Sequence, residues 1–155
     1  MIDAAFGGRS PPAVSNLVRS ASLEAQQIMG FFAGKKWSDI TLKTLQNDYV
    51  GDGSACLWFM TPEAAAYYLP AYLKMAVLDY YAADAISSEF MIKLHRVAEG
   101  DENNLAEGLA TLNTKQNEAI ARVLEVVASD YESTGVVQDA TRALKLRWAR
   151  YLAGS

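Results

Sequence analysis

Thr61–Tyr81, with the sequence TPEAAAYYLPAYLKMAVLDYY, is the most apolar and most aromatic stretch of the chain, and it decides the fold. It opens with the clearest helix start in the sequence. Thr61 can cap the first turn, Pro62 suits the first helical position because its missing N–H is not needed there, and Glu63 lies at the positive end of the helix dipole. The stretch therefore predicts a central, largely buried helix.

Pro70 interrupts this pattern eight residues after Pro62. Inside a helix it would remove one hydrogen bond and clash with the preceding turn, at a cost of about 3 kcal/mol or more. The sequence therefore predicts either two helices, over about 62–68 and 70–82, or one sharp kink.

Helical spacing of apolar residues recurs on both sides of this stretch. It predicts helices over 22–33, 114–131 and 136–152 that clasp the central one, and Ser87 or Ser88 favours a helix restart after Tyr81. The apolar run 55–60 lacks a second strand with which to pair, so we expect a buried irregular or helical-turn segment. The prediction is an all-α, single-domain, orthogonal or bundle-like array of about six helices over 1–155, with a partly irregular N-terminal arm, 1–21.

Composition makes some classes of function less favoured but does not assign one. Of 155 residues, 51% are apolar and 21% are charged, which is typical of a globular protein. The net charge of −4 gives no general reason to expect nucleic acid. One cysteine, no signal-peptide pattern and no long apolar run favour a cytoplasmic protein without a membrane partner.

Charge is unevenly distributed along the chain. The residues before Ala140 include 10 basic and 18 acidic side chains, whereas the remainder has four basic and no acidic ones. The basic last helix, 140–155, has two interpretations. It is either a solvated face whose positive charge complements the protein's own acidic surface, or a site that binds nucleic acid or an anionic membrane. The acidic body argues against the second interpretation.

No catalytic, cofactor or metal-binding pattern stands out. Cys56 lies in an apolar run and is predicted to be core packing. His95, the single histidine, lies between Lys93 and Arg96 and is expected at the surface or at a helix end. Asp79 with Asp84, and the acidic loop near residue 101, lack the converging ligands that a metal needs. The sequence therefore predicts no enzyme activity, no cofactor and no metal site.

Five tyrosines between residues 67 and 81 are the strongest functional hint. One interpretation is core rings with their hydroxyl groups at the boundary. The other is an aromatic patch that binds a protein partner, since tyrosine is favoured at interfaces, and nearby acids would suit a basic partner. The candidate partner-binding residues are Tyr67, Tyr68, Tyr72, Asp79, Tyr81 and Asp84.

The order of several short motifs resembles an uncharacterised bacterial family of small helical proteins. The shared elements are Phe31–Phe32, the GKKW of residues 34–37, Asp39, Phe59–Met60, the TPEA of residues 61–64, Tyr67–Tyr68, the LPAY of residues 69–72, Gln116 and Ala119–Ile120. The likeness spans about 30–130. It implies a bacterial, cytoplasmic setting and assigns no role to any residue.

These observations favour a non-enzymatic interaction protein, most concretely a bacterial immunity protein that binds and neutralises a cognate toxin. An alternative is a small ligand-binding or enzymatic domain with a pocket beside Trp37, Trp58 and the break at Pro70. A third possibility is a homo-oligomer that assembles through the tyrosine region.

Overall fold

The computed structural model describes residues 1–131 and 134–152, and within them the chain is all-helical without a β-strand. Ten α-helices occur in this described part: α1 (Ile2–Phe6), α2 (Leu23–Phe32), α3 (Leu42–Asp48), α4 (Cys56–Phe59), α5 (Pro62–Leu78), α6 (Tyr80–Ala83), α7 (Ala85–Glu99), α8 (Asn104–Leu109), α9 (Thr114–Asp130) and α10 (Thr134–Ala143). The predicted all-α class is confirmed. The predicted number of helices is too low because four segments of four to six residues also form helical turns.

Helix α5 is the centre of the molecule. Twelve of its 17 residues are buried, and a helix that is apolar on all sides is one surrounded by other elements. The predicted cap at Thr61 is confirmed, since Thr61 Oγ1 accepts a hydrogen bond from the Ala64 N–H at 3.1 Å. Helices α1, α4, α7, α8 and α9 pack against it.

Pro70 lies inside α5 without dividing it, so the predicted division into two helices is wrong. The missing N–H of proline deprives the carbonyl of Ala66, four residues earlier, of its helical donor. Arg9 supplies replacement donors, because its Nη1 and Nη2 each lie 3.3 Å from the Ala66 carbonyl oxygen. Nη2 also lies 3.3 Å from the carbonyl oxygen of Tyr67. A side chain from the N-terminal arm therefore satisfies the helix where local rules predict a break.

The N-terminal arm, residues 1–21, is held against the body at several points. Phe6 is fully buried at the end of α1, and Asp3 forms an ion pair of 2.8 Å with Lys74 of α5. Farther along, Val18 makes an isolated antiparallel bridge with Met60, the last residue of the 55–60 segment. That segment forms the short helix α4, which confirms the predicted helical turn.

The C-terminal half packs on itself more than on α5. Helix α10 packs chiefly against α7 and α9, and the predicted clasp of the last helix on the central one is not confirmed. A π-helical turn, Leu144–Trp148, and a 3₁₀ turn, Ala149–Tyr151, extend it. Trp148 is fully buried and donates from Nε1 to Asn117 Oδ1 of α9 at 3.1 Å.

The buried side chains described here form one hydrophobic cluster that extends from α1 to Trp148. Residues 132–133 and 153–155 lie outside the described residues, so a single domain over 1–155 stays a prediction. The orthogonal arrangement and a kink at Pro70 also stay predictions.

Candidate functional site

Tyr67, Tyr68 and Tyr72 are buried in α5, with 4%, 0% and 2% of their surface exposed. They cannot form a contact surface, and the prediction that placed them in a binding patch is wrong. The reason is that neighbouring elements cover α5 at these positions and form hydrogen bonds with the three hydroxyl groups. Tyr68 donates to the carbonyls of Phe32 and Lys35 at 2.9 and 2.7 Å, Tyr72 donates to the carbonyl of Gly53 at 3.2 Å, and Tyr67 accepts from the Trp37 N–H at 3.3 Å.

The other three predicted residues come together where α5 ends and α6 begins. We call residues 78–84 the tyrosine knuckle. Leu78 and Tyr81 are its prominent surface side chains, 72% and 65% exposed. Asp84 is exposed and Asp79 is half-buried. Sequence reasoning missed Leu78, although it lies at the helix end where an apolar side chain is least covered.

An aromatic stack holds the knuckle in place. The rings of Tyr80 and Tyr131 are stacked, with centroids 3.9 Å apart and an interplanar angle of 16°. The Tyr131 hydroxyl donates toward the carbonyls of Ala76 and Val77, at 3.2 and 3.0 Å, and so joins the stack to the last turn of α5. Tyr81 meets both rings edge-on, at 5.3 and 5.5 Å. The exposed ring therefore projects from a fixed support.

Asp84 ends the knuckle in a strained conformation. Its φ of 44° is the only positive φ of a non-glycine residue in the described chain. Such a backbone costs about 1–3 kcal/mol and persists where the surroundings enforce it, often at functional sites. Here α7 begins directly at Ala85, so the helix restart precedes the predicted caps at Ser87 or Ser88. The Ser88 hydroxyl instead donates to the carbonyl of Asp84 at 3.1 Å.

A cleft of about 200 Å³ opens beside the exposed ring. Its walls are Tyr80, Tyr81, Asp84, Ser88 and Val136. Tyr80 is only 7% exposed, yet its hydroxyl has no hydrogen-bond partner within the described part of the chain. Burial, with smaller contributions from neighbouring tyrosines and Asp139, raises the pKa of Tyr80 to about 12. The phenol is therefore neutral at physiological pH and can donate or accept a hydrogen bond.

Neither Asp79 nor Asp84 forms an ion pair with another described residue. The lining of the cleft contains no basic side chain. The knuckle thus combines exposed apolar surface with negative charge that the described chain does not neutralise.

His95, predicted at the surface or at a helix end, is largely buried against α10 and lies four residues before the end of α7. Its Nδ1 lies 2.6 Å from Asp139 Oδ1, and its Nε2 lies 3.0 Å from Glu99 Oε1 without hydrogen-bond geometry. Asp139 is 44 residues away in sequence, so no local sequence pattern predicts that His95 and Asp139 interact. The described residues contain no group of three or more His, Cys, Asp or Glu side chains that could hold a metal ion.

Cys56 is fully buried, which confirms the prediction that it is core packing. Burial raises the pKa of its thiol to about 11, opposed by hydrogen bonds from Tyr72 and Tyr49. A thiol in this state is a poor nucleophile, because the thiolate is the reactive form.

Two larger clefts lie along the N-terminal arm, and we call them the arm clefts. They have volumes of about 480 and 490 Å³ and share Arg9, Ser10 and Tyr67. Trp37 lines the second, whereas neither Trp58 nor Pro70 lines either of them. The arm clefts therefore do not include the predicted position beside Pro70, where Arg9 contacts the backbone acceptor that the proline frees.

The fold and this surface define an all-α protein with an aromatic, acidic site at a helix junction. The chain belongs to a family of unknown function (DUF6714), whose model matches residues 19–152. The match is consistent with the resemblance over 30–130 and also includes the basic last helix, whereas the bacterial origin stays a prediction. A search of curated proteins and a search of solved structures found no match. Among the described residues, no helix is both long and apolar enough to cross a membrane.

Proposed function

We propose that this chain is a non-enzymatic binding protein that contacts a protein partner through the tyrosine knuckle. One observation carries the proposal: Tyr81 is 65% exposed, yet its ring is held edge-on against the stacked pair of Tyr80 and Tyr131. A side chain that is already ordered loses little entropy on binding, whereas immobilising a free one costs about 0.5–1.5 kcal/mol.

The surroundings of Tyr81 support a protein partner rather than a small molecule. Binding energy at protein interfaces is concentrated in a few anchors, and tyrosine is among the most frequent of them. Leu78, 72% exposed, adds apolar area next to it. The cleft beside it, at about 200 Å³, is smaller than the roughly 300–1,000 Å³ of small-molecule sites.

The most concrete form of this proposal is a bacterial immunity protein that neutralises a toxin. The acidic knuckle supports it, because negative charge without a described cationic partner favours association with a basic surface. A second copy of this chain is the other partner that the proposal admits, since its last helix is basic. In both cases we propose a cytoplasmic protein without a nucleic-acid or membrane partner.

Site-directed photo-crosslinking from position 81 tests the proposal. A photoreactive phenylalanine analogue replaces Tyr81 in one variant and Val50, which is 81% exposed, in a control variant. Both are expressed in the cells from which the chain originates. We expect one partner at position 81 and none at position 50, and we expect excess wild-type protein to compete for it. The purified partner should then form a stoichiometric complex with the chain.

Equal crosslinking at the two positions, or none at position 81, would contradict the proposal. If the partner is a toxin, co-expression of this chain should also relieve its growth inhibition. If the partner is a second copy, light scattering should show a dimer whose dissociation constant rises in a Tyr81→Ala variant.

The arm clefts favour a second candidate, a small-ligand-binding function. Their volumes of about 480 and 490 Å³ lie within the range of ligand sites. Trp37 lines one of them, so ligands that enter should change its fluorescence. A metabolite library that alters the emission of the wild type but not of a Trp37→Phe variant would support this function, and a library without effect would oppose it.

A further inference from the structure

We propose that the cleft beside Tyr81 accepts the guanidinium group of an arginine side chain on the partner. This inference rests on the proposed function, because it names the chemistry of the partner at the same site. It starts from the lining of the cleft, which offers two tyrosine rings, one carboxylate, one hydroxyl group and an apolar wall at Val136.

The polar groups of the cleft are suited to a donor. The exposed carboxylate of Asp84 forms no ion pair with another described residue. The Ser88 hydroxyl uses its hydrogen toward the Asp84 carbonyl, at 3.1 Å, so its lone pairs still accept. The Tyr80 hydroxyl is buried and has no hydrogen-bond partner among the described residues. A ligand group that only donates is the best complement, and a guanidinium has five N–H donors and no acceptor.

The rings and the size of the cleft favour arginine over other cations. A planar guanidinium stacks on aromatic faces, whereas a lysine ammonium acts as a compact, strongly hydrated charge. Because Tyr80 is 7% exposed and stacked on Tyr131, the exposed ring of Tyr81 offers the face for stacking, with Tyr80 edge-on to it at an interplanar angle of 84°. A volume of about 200 Å³ admits one long side chain and excludes a cofactor-sized ligand.

The strain at Asp84 fits this role. With φ 44° and ψ −110°, Asp84 lies outside the left-handed helical region that aspartate tolerates, and glycine would relieve the strain. The chain instead keeps a carboxylate at the edge of the cleft, where it can meet an incoming cation.

A peptide titration monitored by NMR tests the inference with the purified chain. The probe is the blocked pentapeptide Gly-Leu-Arg-Leu-Gly, and the control replaces arginine by citrulline, which is nearly isosteric and uncharged. We expect saturable shifts of the Tyr81 ring and the Ser88 amide with the arginine peptide. Binding should be at least tenfold weaker for citrulline and weaker for a lysine peptide.

Two matched variants complete the test. Asp84→Asn keeps the shape of the side chain and removes its charge, so binding should fall about tenfold. Asp48→Asn changes an exposed aspartate at the end of α3 and should leave binding unchanged. Equal binding of the arginine and citrulline peptides, no saturable shift, or full binding by Asp84→Asn would overturn the inference.

The two proposals fail in different ways. If position 81 crosslinks a partner but the arginine peptide does not bind, the interaction surface stands and the guanidinium chemistry is wrong. If the peptide binds but position 81 captures no partner, the cleft chemistry stands and the proposed function is wrong.

Discussion

Replacing Arg9 by methionine should destabilise the protein, because Arg9 supplies the donors that Pro70 withholds from α5. The substitution keeps an apolar stem and removes the contacts of the guanidinium with the carbonyls of Ala66 and Tyr67. A hydrogen bond to a charged group contributes about 1.5–3 kcal/mol, and an unsatisfied buried carbonyl costs about 1–3 kcal/mol. The contacts are long, at 3.3 Å, and Arg9 is half-buried, so we expect a loss of about 2–3 kcal/mol.

A double-mutant cycle isolates the cause. In a Pro70→Ala background the new N–H of residue 70 can donate to the Ala66 carbonyl within the helix. The Arg9→Met substitution should then cost only about 1 kcal/mol, which gives a coupling energy of about 1–2 kcal/mol. Urea unfolding followed by far-ultraviolet circular dichroism measures all four proteins, with the slope of the transition checked for constancy.

The control is Arg19→Met, since Arg19 is exposed and its side chain makes no hydrogen bond or ion pair in the described structure. It should change the free energy of unfolding by less than about 0.5 kcal/mol in either background. An equal cost of Arg9→Met with and without Pro70 would refute the reasoning, because the arginine would then act independently of the freed carbonyl.

Three further predictions concern packing, alkaline stability and the support of the knuckle. A Cβ on Gly108 would lie 2.5 Å from the Pro62 carbonyl oxygen, so Gly108→Ala should cost about 2–3 kcal/mol or more in urea unfolding, whereas Gly30→Ala, with no atom within 4 Å, should stabilise by up to about 1 kcal/mol. Because burial raises the pKa of Cys56 from 9.0 to about 11, its stabilisation is complete below pH 9 and is lost as the pH rises through 11. Cys56→Ala should therefore remove about 2–3 kcal/mol of the alkaline decline in unfolding free energy between those pH values, and an unchanged decline would contradict this. Tyr131→Phe should cost about 1 kcal/mol and increase the NMR-detected mobility of the Tyr81 ring, and an equally rigid ring would show that Tyr131 does not support it.

The helix starts could be predicted from sequence because their signals are local. Ser22, Thr61 and Asn113 each accept a hydrogen bond from the backbone N–H three residues later, and their residue types are those that commonly cap helices. Phe6 and Cys56 are buried for an equally local reason, since each lies in a short apolar run.

The predictions about Pro70, His95 and the buried tyrosines failed because they depend on residues that are distant in sequence. Arg9 completes the backbone of α5 across 57 positions, which makes Pro70 tolerable inside a helix. His95 is covered by α10 and meets Asp139 there. No pattern in a single helix shows how many neighbours will surround it.

For the same reason, only part of the candidate site could be predicted from the sequence. Counting tyrosines indicated that some would reach the surface, and Tyr81 does. Which ones do so depends on where α5 ends, because its neighbours cover Tyr67, Tyr68 and Tyr72 and leave the knuckle open.

Calorimetric titration of the captured partner against three variants tests the central claim most directly. Tyr81→Ala should weaken binding by at least 2 kcal/mol, about thirtyfold, as expected of an interface anchor. Leu78→Ala should weaken it severalfold, whereas Leu23→Ala, with 71% exposure against 72% for Leu78, should leave it unchanged. Wild-type affinity in both Tyr81→Ala and Leu78→Ala, with their folds verified by circular dichroism, would contradict the assignment of the tyrosine knuckle as the partner-binding surface.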